Sequence, residues 1–246
     1  MFNSPAWAAR IDAELAAGLV KAVSNPRLAT YGLGASANDI EAVAKHGRNV
    51  VLSEAMYPIL HMLEVVMRNS IHGAFREHFQ ADDWYDQGWL NRGHEALVAN
   101  AKAELVKRGR IISPDRVIPE LRFGFWCGMF SGAYEVKHGP WPALLPSVLP
   151  RVPKSWRTCA RVRRRVEEAR LIRNRVFHHE PIAHLPDLID RHRRFVELLG
   201  WFSPDARQHV EHLCRFGPIF HDSLVRTRME PVDGDPAGEY LAIQVP

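Results

Sequence analysis

Residues 53–79 read SEAMYPILHMLEVVMRNSIHGAFREHF, and this stretch decides the fold class. Its apolar residues recur every three or four positions, which is the spacing of one face of an α-helix. Ser53 has the side chain of an N-cap residue, and Pro58 falls in the first turn or two, where a helix tolerates it or kinks gently. The stretch therefore predicts a helix that runs to about Phe79. Its apolar stripe consists of Leu60, Leu63, Met67, Ile71, Ala74 and Phe75.

Helical spacing recurs along most of the chain, whereas alternation with a period of two over the length of a strand is hard to find. The sequence therefore predicts an all-helical fold. Gly124, Gly128 and Gly132 lie four residues apart on one face of a predicted helix, which favours close approach by another helix. Residues beyond Met229 are expected to be loop-like or disordered. Further helices are expected at 5–23, 37–45, 94–108, 114–137, 186–199 and 204–216, and between Pro153 and Pro181.

The net positive charge of the chain is confined to one segment. Residues 151–178 contain ten Arg or Lys and two Glu, so they carry +8, while the whole chain of 246 residues carries +4. A basic segment on an otherwise slightly acidic body favours a polyanionic partner, and RNA is the partner we expect. The alternative is a solvated helix face that binds nothing.

The cysteines and the apolar runs exclude several classes of protein. Cys127, Cys159 and Cys214 are odd in number, far apart and in no C-x-x-C pair, so we expect no disulfide framework, no metal site and no cofactor. The longest nearly apolar run, 123–134, is shorter than the ~20 residues that a bilayer requires, and residues 1–10 lack a signal-peptide pattern. We therefore expect a cytoplasmic protein without a membrane span.

The basic segment ends in residues that suit RNA cleavage without a metal. A 2′-hydroxyl that attacks the adjacent phosphorus needs a base for its proton, a cation for the phosphate oxygens and an acid for the leaving oxygen. His178 suits the base or the acid, and Arg173 suits the cation because guanidinium pairs with phosphate through two hydrogen bonds. Asn174 can orient either of them. The predicted catalytic residues are therefore Arg173, Asn174 and His178, and the alternative is that His178 only interacts with the last carbonyls of its helix.

Helix geometry constrains how these three residues combine. At about 100° per residue, Asn174 and His178 share a face, whereas Arg173 and His178 point about 140° apart. One straight helix therefore does not aim both at one phosphate. Either the final turn before Pro181 unwinds, or a second copy of the helix completes the site across a two-fold axis. We favour the homodimer.

Three stretches of the sequence together resemble a known family. They are LSE at 52–54 with LHMLEVVMRN at 60–69, LRFGFW at 121–126, and RNRVFHHEPI at 173–182. The last stretch is similar to the R-x4-6-H motif of HEPN domains, in which a polar residue often follows the Arg. In order and spacing, the three resemble the Abi-like branch (abortive infection, AbiD and AbiF type) of the HEPN superfamily over roughly residues 50–216.

The resemblance implies an HEPN-like helical bundle with additional N-terminal and C-terminal helices. It implies a dimer that, in many members, is an endoribonuclease used in phage defence or as a toxin, with an antitoxin or a phage-derived trigger as a further partner. It divides the chain into an N-terminal helical extension (1–48), an Abi-like helical domain (49–217) and a C-terminal tail (218–246). The alternative is a non-catalytic helical domain that binds nucleic acid or a protein partner, because a fold does not prove an activity.

Further residues are assigned supporting and binding roles. Glu64 and Arg68 lie four apart on a helix, where an intrahelical ion pair is the default. The alternative, which the resemblance favours, is that Glu64 reaches Arg173 and holds it, with Asn69 nearby. His179 is also assigned a supporting role. The predicted RNA-binding residues are Arg161, Arg164, Arg165, Arg170 and Arg175.

Overall fold

The computed structural model describes residues 7–11, 13–34, 38–135, 140–222, 230–232 and 235–245. Within these residues it contains eleven α-helices, which confirms the predicted all-helical class, and three strands that the sequence did not predict. The helices are α1 (Ala13–Val23), α2 (Asn25–Ala29), α3 (Asp39–Phe79), α4 (Arg92–Lys107), α5 (Pro114–Glu120), α6 (Phe123–Gly128), α7 (Trp141–Val148), α8 (Cys159–Phe177), α9 (Leu188–Phe202), α10 (Pro204–Leu213) and α11 (Phe216–Asp222). Single 3-10 turns lie at Trp84–Asp86 and Lys154–Trp156.

The longest helix, α3, is one element where the sequence predicted two. It continues beyond the helix predicted over 37–45 and through Gly47, because apolar side chains on both sides of this glycine are buried and their packing overrides its low helix propensity. Its N-terminus is capped by Asn38, whose side-chain oxygen accepts a hydrogen bond from the backbone nitrogen of Glu41 at 2.8 Å. The predicted cap, Ser53, lies inside the helix.

The prediction of one helix over 114–137 is wrong. Two shorter helices, α5 and α6, take its place, and the residues between them are not helical. Positions 136 and 137 lie outside the described residues. Of the three glycines, only Gly128 has a close neighbour: an added Cβ would lie 2.7 Å from Nε2 of His94, whereas Gly124 and Gly132 have nothing within 4 Å. The tight contact is therefore with one buried histidine side chain and not with the backbone of another helix.

The three strands form an antiparallel sheet from the two ends of the described chain. β1 (Trp7–Ile11) pairs with β3 (Asp235–Val245), which also pairs with β2 (Glu230–Val232), in the order β1-β3-β2. The first helix therefore begins at Ala13, and the expectation of a loop-like tail beyond Met229 is wrong. Strand pairing between chain ends is a long-range contact, which local periodicity does not report. The register of β1 on β3 runs from Trp7 opposite Val245 to Ile11 opposite Leu241.

The chain divides into two compact units. Unit 1 comprises residues 1–57, 174–192 and 214–246, and unit 2 comprises residues 58–173 and 193–213. The core of unit 1 includes Ile11, Ala16, Leu28, Tyr31, Val43 and Ala44. Unit 2 has an aromatic core around Phe75, whose ring centroid lies 4.6 Å from that of Trp89 and 5.4 Å from that of Trp141. The division into 1–48, 49–217 and 218–246 stays a prediction.

One helix of the described residues, α3, is long and apolar enough to cross a membrane by length and composition alone. The uninterrupted apolar runs considered above did not single it out, because charged residues are spaced along it. Core helices of globular proteins have the same character, and in α3 the side chains of Leu52, Met56 and Ile59 are fully buried within the protein.

Candidate functional site

Helix α8 carries most of the predicted site residues, and its amphipathic sequence fixes which side they occupy. Its buried residues recur at helical spacing, so the arginines between them lie on the exposed and half-buried faces. The buried stripe consists of Cys159, Val162, Val166, Ala169 and Ile172.

Arg173 is held by Glu64, as the second sequence interpretation predicted. The Nε atom of Arg173 donates a hydrogen bond to Oε2 of Glu64 at 3.3 Å, and the two side chains are 25% and 28% exposed. The guanidinium also lies 6.0 Å from the ring centroid of Phe123 in a cation–π contact. An ion pair and an aromatic ring therefore restrict where this guanidinium can point.

The alternative pairing, between Glu64 and Arg68, is not formed among the described residues. Arg68 instead donates from Nε to Oδ1 of Asn69 at 3.3 Å. Glu64 therefore directs its carboxylate to a different helix, 109 positions away in the sequence. Asn69 is exposed and bonded to Arg68, so the structure does not show it supporting Arg173 directly.

His178 and Asn174 lie at the carboxyl end of α8, and the helix does not unwind before His178. The backbone nitrogen of His178 donates to the carbonyl oxygen of Asn174 at 2.8 Å, which is the helical hydrogen-bond pattern. The unwinding that would bring Arg173 and His178 to one face is therefore not observed. The imidazole of His178 is exposed, and no hydrogen bond or ion pair joins it to the described residues.

The chain leaves α8 through a Schellman turn centred on His179. The backbone nitrogen of His179 donates to the carbonyl of Val176 at 3.1 Å, and that of Glu180 donates to the carbonyl of Arg175 at 2.7 Å. His179 has a φ of +58°, the left-handed conformation in which a glycine is usually found. His179 therefore determines the backbone path that follows His178.

Three side chains hold this turn and the residues after it. Arg27 donates from Nη2 to the carbonyl oxygen of His179 at 2.5 Å, and Arg175 donates from Nη1 to the carbonyl oxygen of Pro181 at 2.8 Å. Asn49, which is 4% exposed, accepts hydrogen bonds on Oδ1 from the backbone nitrogens of Ile182 at 2.7 Å and of Ala183 at 3.1 Å. The backbone that presents His178 is therefore fixed from both sides of the turn.

Sequence reasoning missed Arg27 and Asn49. Asn49 did leave a signal, because a polar amide followed by Val50-Val51-Leu52 in a helix is unfavourable unless its side chain has a partner. Arg27 left none, because its partner is a backbone carbonyl 152 positions away.

The five predicted RNA-binding arginines are in different environments. Arg161 and Arg164 are exposed, and neither is within ion-pair distance of a carboxylate in the described residues. Arg165 lies 3.5 Å from a carboxylate oxygen of Glu197, and Arg170 is bound by both carboxylate oxygens of Glu167. Arg175 supports the turn after α8 and lies 3.9 Å from Glu180.

The cysteines and the other histidines form no metal cluster among the described residues, since no group of three or more His, Cys, Asp or Glu side chains could hold an ion. Burial raises the pKa of Cys159 to about 12, and it also raises the pKa of Cys214. Cys214 contacts Nε2 of His192 through its sulfur at 3.1 Å, but a raised pKa keeps the thiol protonated. Neither thiol is therefore held as a reactive thiolate.

Comparison with known proteins adds no assignment. No protein-family model, no curated protein and no solved structure matches this chain. The assignment of a function therefore depends on the residues of the chain itself.

Proposed function

We propose that this protein is a metal-independent endoribonuclease of the HEPN type, acting in the cytoplasm in phage defence (abortive infection) or as a toxin. The observation that carries the proposal is the presentation of His178. Its imidazole is exposed directly after α8, on a turn held by Arg27, Asn49 and Arg175. The ion pair between Glu64 of α3 and Arg173 of α8 adds support, because α8 is also the helix that leads to His178. The motif resemblance described above gives the reaction class.

The proposed reaction uses the RNA's own 2′-hydroxyl. His178 accepts the proton of this hydroxyl as its oxygen attacks the adjacent phosphorus, and the bond from phosphorus to the 5′-oxygen breaks. Arg173 pairs with the non-bridging oxygens as negative charge builds on them, and Asn174 orients the phosphate or the imidazole. A second His178 protonates the leaving 5′-oxygen. The products carry a 2′,3′-cyclic phosphate and a 5′-hydroxyl.

The second His178 comes from a second copy of the chain in this proposal. Helical hydrogen bonding continues to His178, so Arg173 and His178 point about 140° apart on α8. A two-fold axis beside the carboxyl end of α8 would supply the missing group from the partner copy. An antitoxin or a phage-derived trigger would bind such a dimer as a separate partner.

The direct test is cleavage of RNA by the purified protein in EDTA. We expect the wild type to cut, and His178→Ala and Arg173→Ala to lose roughly 10²- to 10⁴-fold of the rate, as for removal of an acid–base group or of an oxyanion contact. End-group analysis should find 2′,3′-cyclic phosphate. Equal rates for all three proteins, or 3′-hydroxyl products, would contradict the proposal.

A second candidate function is a non-catalytic helical domain that binds nucleic acid or a protein partner. It is favoured by the ion pair of Arg173, because Glu64 already balances the charge that a phosphate would otherwise meet. RNA binding by wild type, His178→Ala and Arg173→Ala alike, with no cleavage by any of them, would support this second function.

A further inference from the structure

The arginines of α8 divide into two groups by their ionic partners. Those from Arg165 onward are each paired with a carboxylate, so their charge is largely balanced within the protein. The pairs and their shortest N–O distances are Arg165 with Glu197 at 3.5 Å, Arg170 with Glu167 at 2.5 Å, Arg173 with Glu64 at 3.3 Å and Arg175 with Glu180 at 3.9 Å.

Five of the six cations that precede Arg165 in the segment have no such partner; the sixth, Arg163, lowers the pKa of Glu167 through its charge. All five are exposed, and among the described residues none lies within ion-pair distance of a carboxylate. Where their side chains do make contacts, the partners carry no charge: Arg157 donates to the carbonyl of Val152 at 3.3 Å, and Arg161 donates to the carbonyl of Ser155. These five cations are Arg151, Lys154, Arg157, Arg161 and Arg164.

An indole lies among these charges. The guanidinium of Arg164 lies 5.8 Å from the ring centroid of Trp156, and that of Arg165 lies 4.7 Å from it. The ring of Trp201 supports the same indole at a centroid distance of 5.2 Å. A guanidinium held against an aromatic ring keeps a fixed orientation. Because the group is planar and charged, it can stack on a nucleobase and pair with a phosphate.

A groove lies beside this surface within unit 2. Its volume is about 660 Å³, and Arg151, Trp201 and Gln208 contribute to its lining. Its two carboxylates do not repel an anion strongly, because each is already paired. These pairs are Glu197 with Arg165 and Glu211 with Arg207.

We propose that Arg151, Lys154, Arg157, Arg161 and Arg164, arranged around Trp156, form the surface that binds single-stranded RNA. We call it the amino-terminal basic surface. The proposal rests on the proposed function for its choice of RNA as the polyanion. Unbalanced cations bind phosphates and release counterions, and stacking on planar groups selects unpaired bases.

This surface differs from the set that the sequence predicted. Arg165, Arg170 and Arg175 leave the set, because binding a phosphate would require each to give up a carboxylate or backbone partner. An anionic membrane is the less suitable polyanion, because residues 151–164 expose no large apolar side chain that could enter a bilayer.

The test measures binding of a short, single-stranded, 2′-O-methylated RNA, which cannot be cleaved because it lacks the attacking hydroxyl. Arg164→Gln should weaken binding about 3- to 10-fold and lower the slope of log K against log salt by about 0.7. The triple variant Arg157→Gln, Arg161→Gln, Arg164→Gln should lower that slope by about 2. Arg170→Gln, which removes the same charge from the same helix, is the matched control and should bind within about twofold of wild type.

Equal losses of RNA affinity in Arg164→Gln and Arg170→Gln would overturn the proposal, since they would mean that affinity depends only on the net charge of the protein. Tighter binding to vesicles of anionic lipid than to the RNA would also overturn it. Because the RNA cannot be cut, the outcome is independent of the nuclease. Binding without any cleavage of ordinary RNA would contradict the proposed function alone, and cleavage with no loss of binding in the triple variant would contradict this surface alone.

Discussion

The side-chain oxygen of Asn49 lies 2.7 Å from the backbone nitrogen of Ile182, which follows it by 133 positions. A buried amide in the first half of α3 thereby fixes the chain immediately after the histidine turn. A hydrogen bond in this position stabilises the backbone that presents His178, in addition to its contribution to the core.

Replacing Asn49 should separate these two effects. Asn49→Ala leaves the buried nitrogen of Ile182 without an acceptor, so we expect a loss of about 1–3 kcal/mol in the free energy of unfolding, measured in urea. Asn49→Asp keeps an acceptor oxygen and should recover much of that loss. The imidazole resonances of His178 should shift in Asn49→Ala and return toward their native positions in Asn49→Asp. Identical spectra in all three proteins would show that Asn49 does not position the turn.

Glu64 should matter for RNA cleavage more than for stability. Its pair with Arg173 is partly exposed, so Glu64→Gln should change the free energy of unfolding by about 1 kcal/mol or less. We expect the cleavage rate to fall about tenfold, because the guanidinium loses the charge-assisted hydrogen bond that orients it. Glu54→Gln is the control, since Glu54 is on the same helix and pairs with the exposed Arg215. Similar rates for the two variants would contradict a positioning role for Glu64.

The composite site can be tested by mixing two impaired variants. His178→Ala and Arg173→Ala should each cut RNA slowly when alone, whereas a mixed dimer keeps one Arg173 and one His178 on different chains. We expect the mixture to cut RNA measurably faster than either variant. Sedimentation at the assay concentration should find a dimer. A monomer at that concentration, or a mixture no faster than its components, would contradict the dimer.

Gly128 should tolerate no larger residue without a loss of stability. In Gly128→Ala the new Cβ would lie 2.7 Å from Nε2 of His94, well inside van der Waals contact. His94 cannot move easily, because its ring nitrogens bond the hydroxyl of Tyr134 at 2.7 Å and the carbonyl of Phe125 at 3.0 Å. We expect a loss of about 1–3 kcal/mol in urea unfolding. Gly124→Ala, with open space around the new Cβ, should cost nothing.

Mild acid should destabilise the fold through its buried histidines. Burial lowers the pKa of His94 below its ordinary value of 6.5, and it also lowers the pKa of His46 and of His72. Such groups are neutral in the folded protein, so their contribution is complete above 6.5, where the unfolded histidine is neutral too. This contribution to the free energy of unfolding is lost as the pH falls through the lowered pKa of the folded state, because the histidine of the unfolded chain binds the proton more readily. The free energy of unfolding, measured in urea across this range, should decrease, and His94→Gln should reduce the decrease. An unchanged pH dependence in His94→Gln would contradict this role.

Local patterns in the sequence predicted the parts of the structure that depend on neighbouring residues. Apolar spacing located α4, predicted over 94–108, and α8, predicted between Pro153 and Pro181. The Glu64–Arg173 pair was also predicted, because both residues lie in motifs whose order resembles that of a family. Long-range relationships were not predicted. The strand pairing of β1 with β3 and the bond from Arg27 to His179 join distant positions that no local period connects.

The ion pairs that balance the charge of α8 could not be predicted from the sequence for the same reason. Counting charges gave residues 151–178 a uniform excess of positive charge, but the acidic partners of Arg165 and Arg173 lie on other helices. Only the folded chain shows which cations have a carboxylate partner and which do not.

The bond between Arg27 and the carbonyl of His179 also orders events during synthesis. At about 5–20 residues per second, the ribosome adds Arg27 roughly 8–30 s before it adds His179, because 152 positions separate the two. Until then the histidine turn cannot gain its N-terminal support. In the proposed nuclease, a nascent chain therefore lacks a positioned catalytic histidine until residue 179 has been added, so a competent site cannot exist beside the ribosome's own RNA before that point of synthesis.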